Sequence, residues 1–177
     1  MARSKARAFS VVLGLFLFTS LGRTCSVVKL TTNLELVSGA DAVVRAKAVE
    51  YFTPPVDPKL VTNGMPDSRV RFKVLEVIRG ANTSEVVLPG NLVETNDFND
   101  QQAPYTFVRP GGRSGSCFAN SYRQGAEYLL FLKRTKTGEL SANWAALAPV
   151  NEQLHSADDP WLLWTRQKAQ QLQRAAK

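Results

Sequence analysis

The sequence predicts a mainly β fold, a small and partly open Greek-key barrel with one C-terminal α-helix. Three observations point there. Five or so apolar runs are bounded by Gly, Pro and Asn. One of them, residues 69–79, is long and slips phase along its length. After Pro160 the chain runs without a breaker at helical spacing. A β-sandwich made from the same strands is the alternative.

Residues 42–52 combine β-branched residues with partial alternation and read as the first strand. In residues 69–79, Val70, Phe72 and Val74 alternate with Arg71 and Lys73, and then Leu75 breaks the phase, so a β-bulge or a strong coil is expected there. Residues 85–88 and 92–95 are short apolar runs split by Pro89-Gly90-Asn91, a turn signal. Residues 127–133 contain Tyr-Leu-Leu-Phe-Leu, a buried strand, and after Thr137-Gly138 residues 139–147 return as another, with Trp144. Asp158 or Asp159 can cap the helix that Pro160 opens, and Trp161, Trp164, Ala169, Leu172 and Ala176 fall on one face. That face is expected to pack on the barrel rather than on a membrane.

Two long loops interrupt the strands. Residues 53–68 hold Pro54, Pro55, Pro58 and Pro66, and residues 96–116 hold Asp97, Asp100, Pro104, Pro110 and the run Gly111 to Ser116. Loops of this length in a compact domain are functional or mobile, and the glycine-rich run reads as mobile backbone.

The net charge of +7 is not spread over the domain. Residues 1–24 and 161–177 each contribute +4 with no acid, which leaves −1 between them. Nucleic-acid binding needs clustered Lys and Arg on the folded surface, so it is not expected. The N-terminal excess belongs to a leader: a basic segment with Arg3, Lys5 and Arg7, an apolar run at 9–18, then Thr19, Ser20, Leu21 and Gly22. This is the order of a secretory signal peptide over residues 1–24, and the apolar run is short for a membrane span of about 20 residues. A secreted, periplasmic or cell-surface protein is expected. A lipid anchor on Cys25 is the lesser alternative, since Arg23 departs from the lipoprotein pattern.

Cys25 and Cys117 are the two cysteines. An even number behind an export leader reads as a disulfide. A structural zinc site would need ligands beyond these two and His155. Catalytic chemistry is hard to find. There is no His-Glu-x-x-His motif, no nucleophile elbow and no phosphate loop in the Gly-rich run. Asp97 and Asp100 offer oxygen ligands at loose spacing, Asp158-Asp159 reads as a helix cap, and Asn82-Thr83-Ser84 is a glycosylation sequon. The expectation is a non-enzymatic chain with no cofactor and no metal.

The order of these segments resembles a known family. A cysteine follows the leader. Then come Ala-Asp-Ala-Val-Val-Arg-Ala-Lys-Ala-Val (40–49), Val-Arg-Phe-Lys-Val-Leu-Glu-Val-Ile-Arg-Gly (70–80), a second cysteine, and Gly-Ala-Glu-Tyr-Leu-Leu-Phe-Leu (125–132). Over residues 25–150 this is similar to the netrin-like module shared by tissue inhibitors of metalloproteinases and their bacterial relatives. The resemblance implies an oligonucleotide/oligosaccharide-binding-type barrel over these residues; the helix and basic tail read from the chain's own spacing follow it over 151–177. It also implies that the first cysteine is tied to the loop bearing the second. In those inhibitors the amine and carbonyl of the mature N-terminal cysteine chelate the protease zinc. Carried over, the protease-contact residues would be Cys25, Ser26, Val27 and Val28, with Ser116 and Cys117 beside them. This chain has Val27 and Lys29 where those inhibitors carry a cysteine and a proline. The resemblance implies a protein partner, a zinc metalloprotease in its sharpest form. The alternatives are a binding module for another protein or a glycan, or a small hydrolase of unrecognised type.

Overall fold

The structure, a computed structural model, describes residues 30–57, 65–80, 82–114 and 117–175. Expectations for the leader, for Cys25 to Val28, for Ser116 and for Ala176 fall outside them.

The fold is mainly β with a C-terminal helix. A short helix α1 (Asn33–Gly39) opens the described chain, and Thr32 and Glu35 close a reciprocal capping box on it. Strand β1 (Ala42–Thr53) then pairs antiparallel with β2 (Arg69–Arg79), and β2 with β3 (Glu85–Pro89). β4 (Asn91–Val93) leaves the main sheet and pairs in parallel with β5 (Ser121–Arg123). A helical turn, α2 (Pro110–Arg113), lies between them in the chain. β6 (Glu127–Arg134) returns along the other side of β1, and its outer edge is shared by β7 (Leu140–Ala142) and β8 (Asn151–Gln153). Helix α3 (Pro160–Ala175) ends the described chain. The main sheet therefore runs β3-β2-β1-β6-β7, with β8 beside β6. It curls until β3 and β7 come within 8 Å, although the two edges form no ladder.

The curl has a local cause. The β1–β2 register shifts four times, and one shift leaves Leu75 unopposed, because Arg45 faces Glu76 while Ala46 faces Val74. This is the expected bulge at Leu75. Each bulge adds right-handed twist to a long strand and bends it.

Both faces of the central strands are covered, which explains the partial alternation of residues 42–52. Ala42, Val44, Ala46 and Ala48 of β1 face the inside of the curl with Phe72, Leu88, Tyr122, Tyr128 and Leu130. Val43 of β1 and Leu129 and Phe131 of β6 face outward, where Leu36 and Val37 of α1 and Trp161, Leu162 and Ala169 of α3 cover them. Trp161 is fully buried and Trp164 is partly buried, stacked on it at 5.2 Å. The apolar face of α3 thus packs on the sheet as expected. Asp159 supplies the cap, its Oδ1 accepting from the Trp161 N–H at 2.8 Å. Among the described residues no helix is long and apolar enough to cross a membrane.

Three expectations need correction. The last expected strand, 139–147, pairs only over Leu140–Ala142. The Trp144 N–H then donates back to the Ala142 carbonyl at 2.8 Å, which turns the chain out of the sheet. The run at 92–95 pairs only over Asn91–Val93, and the next carbonyl, that of Glu94, accepts instead from the side-chain Nε of Arg123 on β5 at 3.2 Å. The Gly-rich run does not begin as mobile backbone: Gly111, Gly112 and Arg113 lie in α2, and Gly112 is buried. A Cβ on Gly112 would meet the Ala119 nitrogen at 2.8 Å and Val108 Cγ2 at 2.7 Å, and one on Gly111 would strike the Asp97 carboxylate. These glycines permit close packing.

Candidate functional site

The described residues of the long loop between β4 and β5, 94–114 and 117–120, pack across one end of the curled sheet, and Cys117 is among them. Its root is Arg109, whose side chain is fully buried. The guanidinium lies 5.5 Å from the rings of Tyr122 and Tyr128. Those rings meet each other and Phe72 edge to face inside the sheet. Arg109 Nε donates to the Asn151 carbonyl and Nη2 to the Ala119 carbonyl, both at 3.1 Å, and Nη1 pairs with Asp97 at 2.6 Å. Asp97 also accepts from the Gly111 N–H at 3.0 Å. One buried cation therefore gathers four stretches of chain: residue 97, residues 109–111, residue 119 and β8.

β8 supplies the other half of this polar plate. Asn151, Glu152 and Gln153 are all buried. Asn151 Nδ2 donates to the Ala119 carbonyl and, at 2.8 Å, to the Tyr122 hydroxyl. Glu152 accepts from the Arg109 N–H at 3.1 Å and from Asn99 Nδ2 at 2.8 Å. Gln153 accepts from the Asp97 N–H at 2.8 Å and donates to Asn96 at 2.6 Å. Burial pushes the Glu152 carboxyl up to about 7, and it pushes the Tyr122 hydroxyl up to about 12. Tyr122 thus remains a neutral hydroxyl partner for Asn151 at physiological pH.

Above the plate, Cys117 sits half-buried with φ 64, and Leu147 with φ 61. Both are left-handed without being glycine, a conformation that persists only where the surroundings dictate it. They are coupled. The Leu147 N–H donates to the Cys117 carbonyl at 2.9 Å, and the Leu147 carbonyl accepts from the Val108 N–H at 2.7 Å. Phe118 packs edge-on against Trp144 at 5.5 Å. Through these contacts the Cys117–Phe118 stretch of the loop, the Cys117 ridge, is tied to the β7–β8 connection. Of the residues expected to touch a protease, Cys117 is the one within the described chain.

The other candidates resolve differently. Asp97 and Asp100 are occupied by Arg109 and Arg113. His155 stacks on Phe98 at 4.2 Å, and its Nδ1 lies 3.0 Å from Asp159 Oδ2. This is an oriented imidazole, but among the described residues no hydroxyl or thiol is hydrogen-bonded to its ring. A concavity of about 420 Å³ opens along the β3–β7 seam and is lined by Phe52, Arg69, Asn82, Arg134 and Glu139, among others. The Arg69 guanidinium lies 6.0 Å from the Phe52 ring, which is half exposed.

Reading the sequence missed Arg109, Asn99, Asn151 and Glu152. Asn151-Glu152-Gln153 carries no apolar residue, so no periodicity marks it as a buried strand. No protein-family model matches the chain, and no curated protein matches it.

Proposed function

We propose that the chain is an exported, non-enzymatic protein-interaction module of the netrin-like type, and that its sharpest activity is inhibition of a zinc metalloprotease through a mature N-terminus at Cys25. The observation that carries this reading is the fixed Cys117 ridge. A long loop of little regular structure is held at its root by a buried arginine and at its crest by two left-handed residues hydrogen-bonded to each other. A surface ordered before binding loses little entropy when it binds. The strand order β3-β2-β1-β6-β7, with its two edges drawn together, supports the reading of a partly open Greek-key barrel. This reading includes a disulfide from Cys117 to Cys25, the two cysteines of the sequence.

With Cys25 first in the chain, its amine and carbonyl would stand at an end tied to the ridge. An α-amino group titrates near ~8, so a useful fraction is neutral and able to donate to zinc near neutral pH. The test compares protein beginning at Cys25 with protein carrying one added Ala before it, against a panel of zinc endopeptidases. Inhibition by the first form alone is the expected result. Equal inhibition by both would exclude chelation, and none by either would remove the inhibitor reading.

The seam cavity favours a second reading, a glycan-binding module. Phe52 offers an apolar ring edge, and Arg69, Asn82 and Glu139 offer polar ends that no other described residue engages by hydrogen bond or ion pair. Retention on an immobilised glycan that Arg69→Ala abolishes would establish it.

A further inference from the structure

Glu152 is anomalous within the polar plate. Its side chain is fully buried, yet no cation contacts its carboxylate. One oxygen accepts from the Arg109 backbone N–H and the other from the Asn99 amide. The Arg109 guanidinium is turned away, toward Asp97 and the carbonyls of Asn151 and Ala119. A buried carboxylate held only by neutral donors is costly when charged. Both donors belong to the long loop, while Glu152 belongs to β8. The two hydrogen bonds are therefore fastenings of the loop to the sheet.

The charged and titratable groups around it come from few elements. The loop brings Arg109 and Asp97, which act on the Glu152 carboxyl in opposite directions. It also brings Tyr105, which feels both Glu152 and Asp159. From β6, the residue paired with Glu152 is the apolar Leu129.

We propose that docking of the loop is proton-coupled: seating residues 97–113 against β8 takes up a proton at Glu152, so mild acid holds the Cys117 ridge down and mild alkali loosens it. The direction follows from burial. Burial raises the carboxyl to about 7, and the Arg109 charge and the hydrogen bonds from Asn99 and Arg109 pull it down without cancelling that effect. In an undocked loop the carboxyl is hydrated and returns to its ordinary range of ~4.3. The docked form then holds the proton more tightly. Its advantage is complete below the ordinary glutamate range and is lost as pH rises through about 7. This coupling stands independently of the protease reading, because it concerns how the ridge is held and not what it binds.

Amide hydrogen exchange on the exported protein between pH 5 and pH 8.5, corrected for intrinsic base catalysis, reads the coupling directly. Protection of the Asp97, Val108 and Arg109 amides should fall by about ten- to a hundred-fold across that range. Amides in the last turn of α3, which open by local fraying without undocking the loop, should not change. The Glu152 carboxyl carbon, followed by NMR, should titrate near neutrality with the same midpoint. Glu152→Gln should flatten the loop's pH dependence. If that variant does not fold, the wild-type titration decides alone. A Glu152 midpoint in the ordinary glutamate range would overturn the proposal. So would loop protection that stays constant while Glu152 titrates, or a folded Glu152→Gln variant that keeps the wild-type pH dependence.

Discussion

The inside of the curled sheet and the plate that covers its end are equally buried but held in different ways. Inside, Phe72, Tyr122, Tyr128 and Leu130 are fully buried and meet mainly through ring edges and methyl groups. At the end, 5.5 Å from two of those rings, Arg109 is just as buried and is held by directional bonds to Asp97, Ala119 and Asn151. Apolar packing is non-directional, so a side chain of similar volume substitutes at modest cost. A polar plate has no such tolerance, because removing one member leaves the others buried and unpaired.

Matched substitutions of similar volume test that difference most sharply. Leu130→Met inside the sheet should cost less than about 1.5 kcal/mol. Arg109→Met should cost about 3–5 kcal/mol, since Asp97 loses its cation and the Asn151 and Ala119 carbonyls each lose one donor. Urea denaturation of both variants gives the comparison. If Arg109→Met proves as mild as Leu130→Met, the plate is not what holds the loop.

The next largest effect compares two tryptophans on one helix. Trp161 is fully buried among Tyr105, Phe131 and Trp164, whereas Trp164 is only partly buried and has Lys168 5.8 Å from its ring. Trp161→Ala should cost about 3–5 kcal/mol, and Trp164→Ala clearly less, because part of its surface already faces water. Equal losses would mean that α3 is held by its exposed edge as much as by its buried face.

The same contrast decided what could be read in advance. β1, β2 and β6 announce themselves through apolar residues, and the phase slip at Leu75 marks a real bulge. The helix from Pro160 was legible from its spacing and its Asp159 cap. Helix α1 is marked in the sequence by Thr32 and Glu35 at capping-box spacing, followed by Leu36 and Val37, but it is too short for an apolar period to show. β8 carries no such mark. Its three residues are polar and buried, and their partners, Asn99 and Arg109, lie more than forty positions away in a loop. Periodicity reports contact with an apolar core, so a polar contact between distant segments leaves no trace in it.

A third measurement separates two carboxylates by the sign of their pH dependence. Glu152 is raised by burial, so its contribution to stability is complete below the ordinary glutamate range and is lost as pH rises through about 7. The wild type should lose about 2–3 kcal/mol between pH 5 and pH 8 from this group, and Glu152→Gln should lose none of it. Unfolding midpoints at the two pH values, for both proteins, are the check. A wild type as stable at pH 8 as at pH 5 would remove the anomaly at the centre of the plate.

The smallest effect belongs to the surface tie between α3 and the sheet. Arg166 grips Glu76 with Nε at 2.8 Å and Nη2 at 2.5 Å, and Arg45 approaches the same carboxylate at 3.4 Å. The Arg166 hydrogen bond holds the Glu76 carboxyl below its usual range, ahead of the opposing effect of burial. Its contribution is therefore present above the ordinary glutamate value and is lost as pH falls through the lowered one, the reverse of Glu152. Both side chains are partly exposed, so solvent screens the pair and Arg166→Ala should cost only about 0.5–1 kcal/mol, less in high salt. Between pH 5 and pH 8 the stability curve of Arg166→Ala should run parallel to the wild type, and the two should converge only in stronger acid. A double-mutant cycle with Glu76→Gln isolates the pair. A coupling as large as the loss at Arg109 would mean that this exposed bidentate tie, and not burial, is what makes an arginine indispensable in this fold.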